Sequence, residues 1–481
     1  MSLTLADYVN HDATAIAARI REGEISMQEV MSCARELAAA VNPKINAFIE
    51  IFDEPLEANP SGPFGGVPFA IKDLVCQARG MNYECGSRLG AGMRADHDTD
   101  LMKRFRDAGC RTIGRTAAPE FGYCVTTEPV VTGPVRNPWD LERMPGGSSG
   151  GSAAAIAAGI VPFAHGNDGA GSIRIPAACT GLVGLKTSRG RVTVGPDAGE
   201  LLNGLAVEFA LTRTVRDCAG LLDAVHGYVP GDPFPLAPPP GSYASLSKAA
   251  RKPLRIALMT HPWSGVQVGQ ESKYAAERAG RLCETLGHAV EWATPKMDYD
   301  AFLEATHCIW VTMVYGAVNA VAAKSNRQVG SKTLEATTLA CYLDGAAARA
   351  HQLQSAFGIA NQVTRSFAQF FEDYDVLITP TLASPALPLG ALNANNPELT
   401  AQQWTESVLA FAPFTAPFNM TGQPAISLPL HRTATNLPVG VQFAARIGEE
   451  HTLLNLANSL EEAAPWPTVA PLWKSVLGDR K

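Results

Sequence analysis

Between Arg143 and Asp168 the chain runs for 24 residues without one Asp, Glu, Lys or Arg. The stretch is crowded with small residues: PGGSSGGSAAAIAAGIVPFAHGN. Charged residues make up 18% of the chain, so a run this long without them belongs inside the fold. Glycine and alanine let backbones approach closely, and the segment reads as a buried, close-packed centre around which the rest is arranged. Within it, PGGSSGGS is too dense in Gly and Ser for a regular element. AAAIAAG reads as a short helix, IVPFAHGND as a strand and GAGS as a loop, followed by a helix and then a strand.

The flanks alternate between helix and strand. Ala13 to Arg21 has a period near 3.6, and Gly23 ends it. Ser26-Met27-Gln28-Glu29 is a capping box, and Val30, Met31, Leu37 and Val41 follow at helical spacing. Residues 64–71 read as a turn entering a short buried strand that ends at Lys72-Asp73. Residues 101–109 read as a helix capped near Asp98, and 111–114 as a strand. Residues 229–241, VPGDPFPLAPPPG, are a proline-rich surface crossing. Beyond it, 254–259, 271–286 and 289–293 make a βαβ-like unit. Residues 375–379, 425–430 and 439–443 are further strands, and 450–462 a helix. The alternation predicts a large α/β layered fold.

Composition removes several function classes. Apolar residues reach 46%, an ordinary globular value. The net charge of −7 makes a poor non-specific binder of nucleic acid or of an anionic membrane. The longest apolar stretch, Ala153 to Ala164, is 12 residues and contains Gly159 and Pro162, short of the roughly 20 that a membrane-spanning helix needs. No basic patch followed by an apolar run opens the chain, so no secretory signal is expected. Ten cysteines without a C-x-x-C fit reduced, mostly buried thiols and a cytoplasmic location.

Several chemical signatures fall away on inspection. Gly147-Ser148-Ser149-Gly150-Gly151 formally fits G-x-S-x-G, but the nucleophile elbow needs a strand in front, and Arg143-Met144-Pro145-Gly146 is not one. Gly181 to Thr187 misses the phosphate-binding loop, because Leu185 separates Gly184 from Lys186. Asp96, His97, Asp98 and Asp100 read as caps and solvated turns ahead of a helix and not as metal ligands, and no H-E-x-x-H occurs. What remains is a scattered set. Lys72 ends an apolar strand, where a lysine is ordinarily a surface charge, but burial would turn it into a usable base. Ser148 and Ser149 sit in a glycine loop. Ser172 lies in a loop entering a helix, where backbone N–H groups point outward and can hold an oxyanion. Together these offer a base, a hydroxyl relay, a nucleophile and an oxyanion hole without a histidine.

The stretch from PGGSSGGS through GNDGAGSIRIPAACTGLVGLKTSRGRV resembles the signature of the amidase signature family. GVPFAIKD at 66–73, TAAPEFG at 116–122, RNPWD at 136–140 and FTAPFNMTGQPAISLPL at 414–430 resemble it too. The likeness runs from about residue 13 to 470 and is weakest over 230–400. It is greatest to hydrolases of nylon-type cyclic amide oligomers and to related amidases that also cleave carbamates. The resemblance implies a single domain with a large central mixed β-sheet covered by helices on both faces. Its catalytic core would span about 64–225, its variable pocket region 254–400 and its C-terminal part 410–470.

Carried over by motif, the family's triad falls on Lys72, Ser148 and Ser172. The implied scheme has neutral Lys72 draw a proton through Ser148 from Ser172, which attacks the carbonyl. The peptide into the relay serine, here Gly147–Ser148, is cis in the family. The N–H groups of Gly169, Ala170, Gly171 and Ser172 would form the oxyanion hole, with Ser149, Asp168 and Arg174 in support. Two departures stand out. Gly169-Ala170-Gly171-Ser172 replaces the common Thr-Gly-Gly-Ser, and a methyl at Ala170 is expected either to narrow the acyl pocket or to restrict the loop. Ala117 stands where asparagine is frequent.

The expected activity is therefore hydrolysis of a neutral, fairly apolar linear or cyclic amide, with carbamate cleavage as the near alternative. No cofactor and no metal are expected. The expected partners are a small-molecule amide or carbamate and, at most, a second copy of the chain as a homodimer, with no nucleic acid and no membrane. A pocket lined partly by apolar side chains from 124–131, 306–317 and 411–420 is expected, with Cys308 and Trp310 as candidate lining residues whose ordinary reading is core packing. The glutaminase subunit of a tRNA-amidating complex is a different reading. Those relatives usually carry K-P-x-Y-G-R-V, and Lys186-Thr187-Ser188-Arg189-Gly190-Arg191-Val192 lacks the tyrosine. A catalytically dead scaffold is the third, and the intact triad argues against it.

Overall fold

The computed structural model describes residues 3–250 and 252–478. A small sheet contains β1 (Phe48–Ile51), β2 (Pro68–Lys72) and β3 (Arg111–Thr116) in the order β1-β3-β2. β2 runs parallel to β3, and β1 antiparallel. The large sheet has eight strands: β4 (Phe163–Asp168), β5 (Val183–Lys186), β6 (Val207–Thr212), β7 (Arg255–Leu258), β8 (Ala289–Trp292), β9 (Val376–Pro380), β10 (Ala425–Arg432) and β11 (Pro438–Ala445). Their order is β4-β6-β5-β10-β11-β9-β7-β8. The sheet is mixed: β7 is parallel to both β8 and β9, and the remaining pairs are antiparallel.

β4, β5, β6, β9 and β11 are buried at every position. Successive side chains on a strand point to opposite faces, so both faces of the sheet are covered. The cover comes from the helices Arg174–Thr180, Val215–Val225, Gln270–Thr285 and Glu450–Ala463. Gln270–Thr285 lies between the parallel strands β7 and β8, which makes the expected βαβ unit. All ten cysteines are free thiols, nine buried and Cys308 half-buried.

Two expectations are corrected and one unassigned stretch is filled. The glycine loop enters a helix sooner than its composition suggests, since Gly150–Ala157 is helical. Gly150 and Gly151 are there for close approach: a Cβ on Gly151 would sit 2.5 Å from the backbone N and O of Ala117. The helix Asp100–Asp107 is capped by the Thr99 hydroxyl, while Asp98 binds Arg106 and the N–H of Arg79. Residues 299–373, unassigned from sequence, form three helices, Tyr299–Ser325, Ala336–Ala347 and Ala350–Asp373. The first is long and apolar enough to cross a membrane by length and composition. It packs against the other two, and its apolar residues lie on all sides, so no amphipathic stripe announces it.

Candidate active site

Lys72 is the last residue of β2, which is buried throughout. Its side chain is 1% exposed. Nζ lies 2.6 Å from Ser148 Oγ, 3.0 Å from Ser149 Oγ and 2.5 Å from Asn167 Oδ1. Burial pushes the ammonium down to about 7, against the opposing pull of the Glu208 and Asp168 charges. Asp73 turns to the other side, as strand alternation requires, and accepts from Arg115 Nη1 at 2.6 Å and from the N–H groups of Glu84 and Gly86.

The two serines reach Lys72 because their loop is clamped. The Gly147–Ser148 peptide is cis. A Cβ on Gly147 would lie 2.6 Å from Thr126 O, so no other residue fits without moving backbone. Ser149 precedes the Gly150–Ala157 helix without capping it. Its hydroxyl lies on Lys72 and donates to Asn167 O at 3.3 Å.

β4 ends at Asp168, and the loop that follows is wrapped around that carboxylate. Asp168 accepts from Gly171 N at 2.7 Å, from Ile173 N and Arg174 N, from Arg174 Nε at 2.9 Å and Nη2 at 2.8 Å, and from Asn419 Nδ2 at 2.9 Å. Burial opposes its ionisation, but Arg174 and Asn419 hold it well below the usual carboxylate range. Arg174, fully buried, also donates to Thr415 O, Gln442 Oε1 and Asn419 Oδ1. A buried pair so fully hydrogen-bonded fixes geometry, and losing one partner would strand the other charge.

This wrapping corrects one expected oxyanion donor. Gly171 N–H is turned onto Asp168 and is not open to the cavity. Among the described residues, the N–H groups of Gly169, Ala170 and Ser172 have no protein acceptor. Ser172 is 8% exposed, and its Oγ makes no hydrogen bond to the described residues; in particular none joins it to Ser148 Oγ. The two serines do line one cavity of about 550 Å³, together with Asn167, Gly169 and Ala170.

The walls of that cavity are apolar and come in part from the expected places. Of 124–131 only Cys124 and Val125 line it, and of 306–317 Trp310, Met313, Val314 and Ala317, with Cys308 outside. No residue of 411–420 does, because Thr415 and Asn419 sit behind the loop, bonded to Ala170 O and Asp168. Leu74, Tyr83, Met93, Leu201 and Leu202 take that place. The rim is charged: His97 pairs with Asp96 and Asp197, and Lys324 lies alongside. Among the described residues no three His, Cys, Asp or Glu side chains are grouped to hold a metal ion.

Sequence reasoning missed Asn167 and His165. A signal was present: two polar residues at i and i+2 on a buried strand must share a face and find partners there. Thr415, Asn419, Gln442 and Glu208 were also missed, and they carry no such local signal.

The family model described as Amidase matches residues 29–454. The chain is 38% identical over 479 residues to a 6-aminohexanoate-cyclic-dimer hydrolase of Paenarthrobacter ureafaciens, covering 96% of each chain. A solved structure of 6-aminohexanoate cyclic dimer hydrolase superposes with a TM-score of 0.91 at 36% identity, covering 98% of this chain and 99% of that one. A bacterial aryl acylamidase superposes with a TM-score of 0.85 at 25% identity, over 98% and 99% of the two chains.

Proposed function

This chain belongs to the amidase family and is a hydrolase of non-peptide carbon–nitrogen bonds; from that premise we propose that Ser172 is its nucleophile, Ser148 the relay and Lys72 the base. Neutral Lys72 takes the Ser148 proton as Ser148 takes that of Ser172. Ser172 Oγ bonds to the amide carbon, and the oxyanion is held by the free N–H groups of the 169–172 loop. The tetrahedral intermediate collapses, and the amine leaves with the proton returned through Ser148. Water, deprotonated along the same route, then releases the acid.

The observation that carries this reading is the buried Lys72 ammonium site. It is pushed down to about 7 and lies 2.6 Å from a hydroxyl on the floor of the cavity that Ser172 also lines. A lysine so placed is half neutral near pH 7. The missing Ser148–Ser172 bond is one that substrate would have to tighten.

The substrate we propose is a neutral, fairly apolar amide, cyclic or linear. Leu74, Tyr83, Trp310 and Val314 offer no charge to a substrate inside the cavity, and the matched hydrolase is named for a cyclic amide. The test is a screen of lactams, cyclic and linear oligoamides, anilides and carbamates with wild type and Ser172→Ala. A fluorophosphonate should add its mass to wild type alone, at Ser172. Labelling elsewhere, or unchanged turnover in Ser172→Ala, would overturn the assignment. Faster cleavage of carbamates than of any amide would replace the substrate class.

A further inference from the structure

Two buried carboxylates face Lys72, Asp168 on β4 and Glu208 on β6, and they are held very differently. Asp168 is neutralised by the two-point contact from Arg174 and by Asn419. Glu208, 1% exposed, has no lysine or arginine partner among the described residues. Its Oε2 lies 2.8 Å from His165 Nε2, and its Oε1 is buried without a hydrogen-bond partner. The opposite ring atom, His165 Nδ1, accepts the N–H of Lys72 at 3.3 Å. An acceptor at Nδ1 puts the ring proton on Nε2, so a neutral imidazole donates to the Glu208 carboxylate. The ring is held by the edge of Phe105, and Ser152 Oγ donates to His165 O. A carboxylate in a dry interior is costly without a counter-charge, and the Lys72 ammonium feels the Glu208 charge.

We propose that Glu208, through His165 on the Lys72 backbone and through its charge on the Lys72 ammonium, is the positioning residue that keeps this lysine basic enough to deprotonate Ser148. The inference rests on the reading of Lys72 as the base. Burial alone pushes a lysine far down, and a base that is neutral but very weak transfers protons poorly. Glu208 works against burial, and so to a lesser degree does Asp168, whose charge Arg174 largely cancels. The other groups that face the pair are Cys76 and the hydroxyls of Ser148 and Ser149, none of them a cation.

The experiment is kcat/KM against pH for wild type, Glu208→Gln, Glu208→Asp and Lys72→Ala on one neutral amide. In Glu208→Gln the acid limb should move down by about one pH unit or more, the size of a lost charge partner, and the plateau should fall because the base is weaker. Glu208→Asp keeps the charge and should keep the limb where wild type has it. If Glu208→Gln does not fold, the double variant Glu208→Gln/His165→Gln, two amides able to bond each other, reads the same limb. A lowered plateau with an unmoved limb would make Glu208 merely structural and overturn the proposal. An unmoved limb with an inactive Lys72→Ala overturns it alone, whereas substantial activity in Lys72→Ala overturns the base reading itself.

Discussion

The floor of the cavity, drawn from residues 144–172, and its long helical wall, Tyr299–Ser325, both line the space a substrate would enter. They are built under opposite constraints. In the floor, two glycines are fixed by a neighbour's backbone: Gly147 by Thr126 and Gly151 by Ala117. In the wall a side chain needs only to be apolar and of fitting volume, and Trp310, Met313, Val314 and Val321 do that without fixed partners in the floor. The floor holds atoms at hydrogen-bond distance from one another, and the wall holds a shape. Substitutions in the first should remove chemistry or the fold, and in the second should retune which amide fits.

The largest expected effect lies in the floor. Ser172→Ala should cut kcat by about 10⁶ while the thermal midpoint stays put, because Ser172 Oγ bonds to nothing it supports. Turnover within tenfold of wild type would end the comparison. Lys72→Arg comes next. A guanidinium stays charged, so activity should fall by on the order of 10³, within the range of lost general-base catalysis. In wild type, Lys72 is protonated below its value of about 7 and neutral above it. Hence kcat/KM should drop about tenfold per unit as pH falls below 7 and level off above it. Full activity at pH 5 would sink the lysine base.

Gly151→Ala separates packing from chemistry in the same region. The added methyl meets backbone atoms of Ala117 at 2.5 Å and Ala47 O at 2.8 Å, neither of which can rotate away. Stability should fall by about 1–3 kcal/mol, read from urea unfolding. Met313→Ala in the wall should leave stability within about 1 kcal/mol, since the side chain is only half-buried. It should raise KM for an apolar amide about tenfold at nearly constant kcat. Equal damage from the two would erase the distinction.

The same contrast governs what was legible in the sequence. Lys72, Ser148, Ser149 and Ser172 stood out as polar residues at the end of an apolar strand and in glycine loops, while their roles, and those of Asp168 and Arg174, came from the resemblance to the amidase signature family. The strands β7, β8, β9, β10 and β11 could be placed because their apolar runs are bounded by turn residues. The wall could not. Tyr299–Ser325 is apolar on every side, with Thr306, His307 and Asn319 interrupting the run, so neither periodicity nor an unbroken apolar stretch marks it. Thr415, Asn419 and Gln442 support Arg174 from more than 240 residues away, and Glu208 reaches Lys72 only because β6 pairs with β4. Such partnerships exist only after the sheet has formed.

Ala170 tests the boundary between the two kinds of surface. It sits in the floor, two residues before Ser172, yet its methyl is half-buried and lines the cavity as a wall residue does. Its carbonyl accepts from Thr415 Oγ1 at 2.5 Å, so the backbone is held independently of the side chain. Its φ is not in the left-handed region, so glycine is not required by the turn. Ala170→Gly should therefore cost only about 0.4–1 kcal/mol of stability, the entropy of a freer unfolded chain. The chemistry should survive, because the three open N–H groups remain. What should change is the acyl side of the substrate. Amides with a branched acyl group should gain about three- to tenfold in kcat/KM relative to straight-chain ones, the worth of up to one methyl in a pocket. A uniform loss across all acyl groups would instead mean that Ala170 disciplines the loop like the glycines around it, and the floor would then contain no wall residue at all.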